Sequence, residues 1–212
     1  MLIAQQIING LMLGSVYVMV AVAFTLTIGM LNFLNFTIPA LFMVAAMITW
    51  ATTAAGFHWL VGSSLGMAVA IIASLIIERF TYRYMKAKYG DATEHALPLV
   101  SSLGFLIIFE HVVIMIWGTD PMSFNSPFAH AQFSIAGLIF GIPQLISLAL
   151  SVALVFALSL LLKKTRLGRA LRSIAEKPDT ATLMGVDVGR IVPVVFMMTG
   201  FLCALAGILF TI

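Results

Sequence analysis

Long apolar stretches recur along the chain and set its organisation. Residues 1–77 contain no Asp, Glu, Lys or Arg. The stretches do not alternate apolar with polar residues as strands of a membrane barrel do, and a helix of about 20 such residues crosses the hydrocarbon core of a bilayer. The pattern therefore predicts an all-α, polytopic helical membrane protein with about six spans. Their approximate bounds are 7–29, 38–55, 60–80, 96–117, 139–162 and 191–212.

The links between the predicted spans differ in character. The first, GMLNFLNFTIP (29–39), is uncharged, and its asparagines and Pro39 argue against one continuous helix. The second, AAGFHW (55–60), places His58 and Trp59 where a membrane–water interface favours them. The longest, 117–132, is rich in Pro, Ser and Asn and contains no Lys or Arg. It is the obvious loop of the chain.

Composition narrows the class of protein further. The chain is 62% hydrophobic and 9% charged, whereas soluble domains carry roughly 25% charged residues. A soluble globule is therefore excluded. The net charge of +3 does not indicate nucleic-acid binding, because the basic residues lie in two short segments. With one cysteine, Cys203, no disulfide framework is possible.

The eleven basic residues predict the orientation in the membrane. Four lie between Arg79 and Lys88, namely Arg79, Arg83, Lys86 and Lys88; the other seven lie between Lys163 and Arg190. Each would cost about 2.5–3.5 kcal/mol at the centre of a bilayer, so neither cluster lies inside a span. Two spans separate the clusters, which places both on one face. The positive-inside rule makes that face cytoplasmic, with the N-terminus and the 117–132 loop outside.

Glycine pairs at helical spacing predict close contacts between spans. GxxxG occurs at Gly10/Gly14, Gly62/Gly66 and Gly137/Gly141, and small residues recur in TGFLCALAG (199–207). Small residues four apart allow helices to approach closely in lipid.

Residues 163–190 carry ten of the 19 charged residues and read as a structured element. An apolar helical stripe comprises Leu167, Ala170, Leu171, Ile174 and Ala175. Pro178 is suited to the first turn of a second helix, with Asp179 near its positive end; Gly185 is a C-terminal stop and Asp187 a cap for the next span. The segment predicts a helix–turn–helix. Two readings remain open: an amphipathic helix on anionic lipid, or a docking element for a partner protein.

The same segment resembles a known family. TRLGRALRSIAEKPDTATLMGVDVGR is similar to the cytoplasmic coupling region of ABC-importer permeases of the branched-chain amino acid (LivH/LivM-like) type. QQIINGLMLGSVYVMVAVAFTLTIGMLNFLNF (5–36) resembles the first span of the family, and TGFLCALAGIL a later one. The matching positions of the coupling motif are Thr165, Gly168, Arg169, Ala170, Arg172, Ala175, Glu176, Pro178, Ala181, Leu183, Gly185, Val188 and Arg190.

The resemblance implies a single permease domain, 1–212, in a bacterial or archaeal cytoplasmic (inner) membrane. It implies partners: ABC ATP-binding subunits, a homologous permease subunit, an external solute-binding protein and the lipid bilayer. The permease would be non-catalytic and would hold no cofactor, with ATP and Mg used by the partner subunits; no GxxxxGK[ST] occurs here. The implied ATPase-coupling residues are Gly168, Arg169, Arg172, Glu176, Pro178, Asp179, Ala181 and Gly185.

The chain departs from the family pattern at two places. Relatives carry NFAHGE after the first span, whereas this chain reads NFTIPA at residues 35–40. Relatives also continue through further spans beyond the position of Ile212. The first departure leaves the identity of the solute open.

Seven polar residues in or near the spans are candidates for a substrate path. They are Ser15, Tyr17, Asn32, Asn35, Ser101, Ser102 and Glu110. An intramembrane acid such as Glu110 indicates function, and broken helices in transporters frequently bind substrate. The alternatives are a plain turn at the asparagines and hydrogen bonds between packed helices at the others. A rival function, an ATP-independent carrier or channel, would use Glu110 for coupling.

Overall fold

The computed structural model describes residues 2–31, 34–84, 96–120, 132–135 and 138–211. Helices dominate this part of the chain, and the predicted polytopic helical fold is confirmed. The helices are α1 Leu2–Leu31, α2 Ile38–Ala54, α3 Trp59–Ile77, α4 Ala96–Trp117, α5 Ile142–Lys164, α6 Arg166–Glu176, α7 Pro178–Leu183 and α8 Val188–Thr211.

Two smaller elements complete the described structure. A π-helical turn, Glu78–Arg83, continues α3 beyond the predicted end of that span. A short antiparallel hairpin joins β1 Gln132–Ile135 to β2 Leu138–Gly141. This hairpin lies directly before α5, where the sequence predicted that the span had already begun.

Five of the six predicted spans are helices long and apolar enough to cross a membrane: α1, α3 with its π-helical turn, α4, α5 and α8. The remaining one, α2, has 17 residues and a length of about 25 Å, at the lower limit for a span. Helix α2 forms a hairpin with α3 through the turn at Gly56, whose φ of 89° requires the left-handed region.

The predicted start of the fifth span is wrong by three residues. Helix α5 begins at Ile142, after residues 138–141 have paired as β2. Gly141 is the extended N-cap, and Pro143 occupies the first turn, where a missing N–H costs nothing. An apolar run such as Leu138–Gly141 has no periodicity that separates a strand from the first turn of a helix.

Helix α8 is the most deeply buried of the spans and packs against α1, α2 and α3. It runs antiparallel to α1, because Thr27 of α1 hydrogen-bonds to Thr199, while Met19 packs against Ala206. The central apolar cluster joins all four helices. Its buried members are Ala23, Ile38, Leu41, Ala73, Ile77, Val192, Phe196, Leu202 and Cys203. Helices α4 and α5 are peripheral to this core and expose most of their surface.

Glycines make the closest helix contacts of the core. A Cβ on Gly66 would meet Thr49 and the Ala45 carbonyl of α2, and a Cβ on Gly200 would meet Ser74. A Cβ on Gly207 would collide with the carbonyl oxygen of Phe42. The close approach predicted for these small residues is therefore confirmed.

Of the other two glycine pairs, one differs from this prediction and one is not tested. A Cβ on Gly10 or Gly14 would meet no neighbouring atom within 4 Å, so this pair makes no close contact within the described chain. Gly137 lies outside the described residues. The spacing alone does not show which GxxxG faces a neighbouring helix.

We predict that Gly207→Val loosens the contact between α8 and α2. Its side chain meets backbone, which cannot rotate away, and overpacking of this kind costs about 1–3 kcal/mol. Cys203, fully buried one turn earlier in α8, is the single cysteine and reports the loss of packing. Maleimide labelling of the protein in detergent should accelerate about 5-fold or more.

The matched control is Gly14→Val, whose added side chain meets open space. Labelling of Cys203 in this variant should stay near the wild-type rate. Equal acceleration in both variants would contradict the assigned contact between α8 and α2.

Candidate functional site

The segment 163–190 forms a helical hairpin, which we call the coupling hairpin, at the end of α5. Thr165 is the N-cap of α6: its hydroxyl oxygen accepts a hydrogen bond from the Gly168 N–H at 3.0 Å. The same hydroxyl donates to the Leu161 carbonyl at 2.6 Å. This one side chain fixes the corner between α5 and α6.

Gly168 allows α6 to cross the end of α5 in direct backbone contact. A Cβ at this position would collide with the carbonyl oxygens of Leu161 and Leu162. The geometry gives Gly168 a packing role between α5 and α6; the coupling role that the resemblance implies stays a prediction. Any side chain here would push α6 away from the bundle.

The predicted apolar stripe of α6 faces the bundle. Leu171 and Ile174 are buried, and Leu171 packs with Leu26 of α1 and Val195 of α8. Leu167, the first member of the stripe, is instead 44% exposed. Because its apolar face is occupied by α1 and α8, α6 does not offer that face to lipid, which removes the reading as a surface-bound amphipathic helix.

Helix α7 follows with the predicted boundaries. It begins at Pro178 and ends before Gly185, whose φ of 85° is the left-handed conformation expected of a C-terminal glycine. The N–H of Val186 then returns to the carbonyl of Ala181, a buried residue. Asp187 caps α8 as predicted, since its Oδ1 accepts from the Arg190 N–H at 3.3 Å.

The outer surface of the coupling hairpin combines charge with an apolar tip. Arg169, Arg172 and Glu176 are exposed along α6. At the end of α7, Leu183 is 87% exposed and Met184 is 82% exposed. The predicted role of Asp179 depends on its side chain, which lies outside the described part of the structure.

A hydrogen bond joins the π-helical turn after α3 to the start of α8. Arg83 Nη2 donates to the Gly189 carbonyl at 3.0 Å, and Arg83 Nε lies 3.8 Å from Glu78 Oε1. Pro193 explains why this carbonyl is free: a proline has no N–H for the carbonyl four residues earlier, which is Gly189. Arg83 thus supplies the donor that the helix lacks.

This contact also brings the two basic segments together. Arg83 belongs to the first cluster and Gly189 to the end of the second segment, so both lie on one face of the bundle, as predicted. Lys86 and Lys88 lie outside the described residues.

Asn35, one of the candidate path residues, is buried in the link between α1 and α2. Its Oδ1 accepts from the N–H of Thr37 at 3.1 Å and from the Thr37 hydroxyl at 2.6 Å. Its Nδ2 has no hydrogen-bond partner among the described residues. A buried donor without a partner costs about 1–3 kcal/mol. Asn32 lies outside the described residues.

Ser101 and Ser102, at the start of α4, join this link to its neighbours. The Phe36 N–H donates to Ser102 Oγ at 3.2 Å, and Ser102 in turn donates to the Leu99 carbonyl. Ser101 shares a hydrogen bond of 3.2 Å with Thr81 in the π-helical turn. The structure therefore brings Asn35, Ser101 and Ser102 into one region.

The other candidate path residues lie elsewhere. Ser15 is buried and pairs with Ser147 of α5 at 3.2 Å, a contact between packed helices. Tyr17 is 60% exposed on α1. Glu110 is exposed on α4 and makes no hydrogen bond or ion pair within the described residues. A path through all seven residues stays a prediction.

Sequence reasoning missed two polar contacts within the membrane. Thr27 of α1 and Thr199 of α8 share a hydrogen bond of 3.1 Å, and Ser74 of α3 donates to the Phe196 carbonyl at 2.6 Å. Isolated Ser and Thr residues are common in spans and also bond to their own helix, so the sequence offers no signal for the partner. No three His, Cys, Asp or Glu side chains in the described ranges are placed to hold a metal ion.

The geometry defines a multi-span helical membrane protein with a structured hairpin on one face, and comparison with known proteins identifies its family. The chain belongs to the family described as "Branched-chain amino acid transport system / permease component", whose model matches residues 6–212. The resemblance found in the coupling motif is thereby confirmed over nearly the whole chain.

Individual relatives agree with this assignment. The chain is 28% identical over 218 residues to "High-affinity branched-chain amino acid transport system permease protein BraD" of Pseudomonas aeruginosa, covering 97% of this chain and 69% of the relative. It is 25% identical over 220 residues to the corresponding LivH of Escherichia coli K12, with the same coverage. A probable LivH of Methanocaldococcus jannaschii is 27% identical over 150 residues, covering 68% of this chain and 46% of the relative. No solved structure matches.

Gly168→Ala should detach α6 from the bundle, because the added methyl group collides with two carbonyl oxygens of α5. A displacement costing about 1–3 kcal/mol raises the open population about 5- to 150-fold. Tryptic cleavage at Arg169 and Arg172 should accelerate accordingly. Gly104→Ala in α4, where a Cβ meets nothing within 4 Å, is the matched control and should leave the cleavage rate unchanged.

Pro193→Ala should weaken the dependence of stability on Arg83. Alanine restores an N–H for the Gly189 carbonyl, so Arg83→Met should cost about 1 kcal/mol in the wild type and much less in the Pro193→Ala background. Thermal unfolding of the four proteins of this double-mutant cycle measures the difference. If the effects of Arg83→Met and Pro193→Ala on stability are additive, the Arg83 side chain and the N–H of residue 193 do not compete for the Gly189 carbonyl.

Proposed function

We propose that the chain is a membrane-spanning permease subunit of an ATP-driven ABC importer for branched-chain or related amino acids. In this proposal it forms the translocation path and docks ATP-binding subunits that hydrolyse ATP with Mg. The observation that carries the proposal is the coupling hairpin, packed on the bundle at its base, with an exposed apolar tip, Leu183 and Met184, on the basic face.

The exposed tip suits a protein partner better than solvent. Leu183 and Met184 are the two most exposed apolar side chains of the hairpin, and they are held on a capped turn ending at Gly185. Large apolar side chains presented beside charged ones are typical of docking surfaces. Exposed Arg169, Arg172 and Glu176 supply charged groups on α6 for an ATP-binding subunit.

The hairpin can transmit force because it is fixed to several spans. Thr165 and Gly168 hold α6 on α5, Leu171 packs against α1 and α8, and Asp187 continues into α8. A displacement of the tip by nucleotide-driven closure of the partner therefore reaches α1, α5 and α8. This supports alternating access driven from the hairpin.

The charge distribution supports an orientation. Both basic segments meet at Arg83 and Gly189, and the positive-inside rule assigns that face to the cytoplasm. The N-terminus is then outside, and the membrane is a bacterial or archaeal cytoplasmic membrane. The 117–132 loop lies on the outer side, where a solute-binding protein would deliver the solute.

The solute and the second permease subunit are proposed from the relatives. BraD and LivH are named as branched-chain amino acid transport permeases, which supports leucine-like solutes here. The exposed apolar surfaces of α4 and α5 leave room for a homologous permease as well as for lipid. Glu110 on α4 favours a protein or aqueous neighbour, because a charge facing lipid is costly.

Replacing the tip should uncouple the partner subunit. The double variant Leu183→Asp/Met184→Asp places two charges where apolar surface would be buried, so co-purification with the ATP-binding subunit should fall about tenfold or more. Amino acid uptake driven by ATP should fall with it. Both are measured on the assembled complex in vesicles.

The control is Thr180→Asp, which adds a charge to exposed α7 but keeps the apolar tip. Assembly should survive this change. The rival carrier or channel function predicts proton-dependent flux in liposomes that lack any ATPase, with loss of flux in Glu110→Gln. That result, or full ATP-driven uptake by the double variant, would contradict the proposal.

A further inference from the structure

We propose that Asn35 and the N-terminus of α2 bind the carboxylate of the transported amino acid. The inference rests on the proposed function, since it names the part of the solute that this region recognises. It starts from an unpaired donor: Asn35 is 1% exposed, and its Nδ2 has no hydrogen-bond partner among the described residues.

The orientation of the Asn35 amide is fixed by Thr37. Oδ1 accepts from the backbone N–H of Thr37 at 3.1 Å and from its hydroxyl at 2.6 Å. Exchanging the oxygen and nitrogen would place an NH₂ group against a backbone donor, so the assignment follows from the hydrogen bonds. The atom without a partner is therefore the NH₂ nitrogen, a hydrogen-bond donor, and its acceptor must come from outside the described residues.

Helix α2 adds a favourable field at the same place. Thr37 is its N-cap, and the N–H groups of Ile38 and Ala40 in the first turn have no intrahelical acceptor. Pro39 has no N–H, so the donors are few and fixed. The 17-residue helix presents its positive end beside Asn35, where a negative charge is stabilised.

This helix end lies within the membrane depth of the bundle. Ile38 packs in one cluster with Ile77 and Phe196, and Phe196 is eight residues beyond the start of α8, a rise of about 12 Å. A helix end at such depth is tolerated where it faces protein or a cavity, and transporters place anionic groups of their substrates at such ends.

The surface next to the buried Asn35 is exposed. Leu34 and Pro39, close to Asn35 in the chain, are both exposed, whereas Asn35 Nδ2 is itself buried. A ligand therefore reaches Nδ2 only when the link between α1 and α2 moves. The ligand must present acceptor oxygens to Nδ2 and to the N–H groups of α2, and this helix end favours a negative charge. An amino acid carboxylate meets this requirement and bears two acceptor oxygens.

Glu110 is not the partner of the amino group in this binding mode. Ser102, which contacts the Phe36 N–H, lies eight residues before Glu110 on α4, a separation of about 12 Å along the helix. The amino and carboxylate groups of one amino acid share a single carbon atom and cannot span that distance. The ammonium group therefore contacts other groups.

The decisive variant is Asn35→Asp. Aspartate keeps the oxygen that accepts from Thr37, and its negative charge suits the N-terminus of α2. It replaces the Nδ2 donor by an oxygen that repels a carboxylate. Uptake of L-leucine by vesicles containing the assembled importer should fall about tenfold or more. The melting temperature of the complex is measured beside uptake: lower uptake by a folded, assembled complex supports the site, and wild-type uptake contradicts it.

Two further variants keep the test decisive. Asn35→Ser retains a short acceptor for Thr37 and loses the Nδ2 donor, so it should also lower leucine uptake. Thr27→Val removes a buried hydroxyl from α1, outside the proposed site, and should leave uptake within about twofold, since such membrane hydrogen bonds average about 0.6 kcal/mol.

Each outcome decides the proposal. Wild-type uptake by both Asn35 variants would overturn the carboxylate site and leave the proposed importer function intact. A wild-type complex that binds its ATPase but moves no branched-chain amino acid would overturn both. If neither Asn35 variant assembles while Thr27→Val does, the amide is required for the fold itself and the site assignment is wrong.

Discussion

The structure depends on the close packing of α8 against its neighbours. Lipid tails are as apolar as the helices, so helix association in a membrane requires van der Waals contact and hydrogen bonds more than hydrophobic burial. Gly66, Gly200 and Gly207 provide that contact among α2, α3 and α8, and the Thr27–Thr199 pair adds α1. The coupling hairpin emerges from this core through Asp187, so the rigidity of its base is a property of the packed spans.

The sequence predicted the features that follow from local rules. Span length and charge placement gave the helices, and Thr165, Pro178, Gly185 and Asp187 marked the ends of the hairpin helices because capping acts within a few residues. Periodicity failed at residues 138–141, where an apolar run forms a strand. The π-helical turn Glu78–Arg83 also gave no sequence signal; its Thr81 and Arg83 contact α4 and α8, which lie far along the chain.

The candidate path was harder to predict than the hairpin. Whether a polar residue faces a neighbouring helix or open surface depends on how the spans rotate, and single-chain periodicity in uniformly apolar helices does not report rotation. Ser15 therefore proved to be a packing contact and Glu110 an exposed group, while Asn35 proved to be buried with one unpaired donor. This chain keeps Asn35 and Phe36 of the family motif NFAHGE and departs from it at residues 37–40. The hydrogen bonds from Thr37 to Asn35 are therefore not implied by the resemblance.

Pro193 has a consequence for how the bundle moves. Because a proline leaves the Gly189 carbonyl without its helical donor, Arg83 bonds to it and connects the π-helical turn after α3 to the start of α8. The glycine contacts pack these two helices against α2. The three helices are therefore connected to one another both by side-chain hydrogen bonding and by close packing. In the proposed importer, a force applied at the hairpin would therefore reach α2, α3 and α8 together rather than one helix at a time.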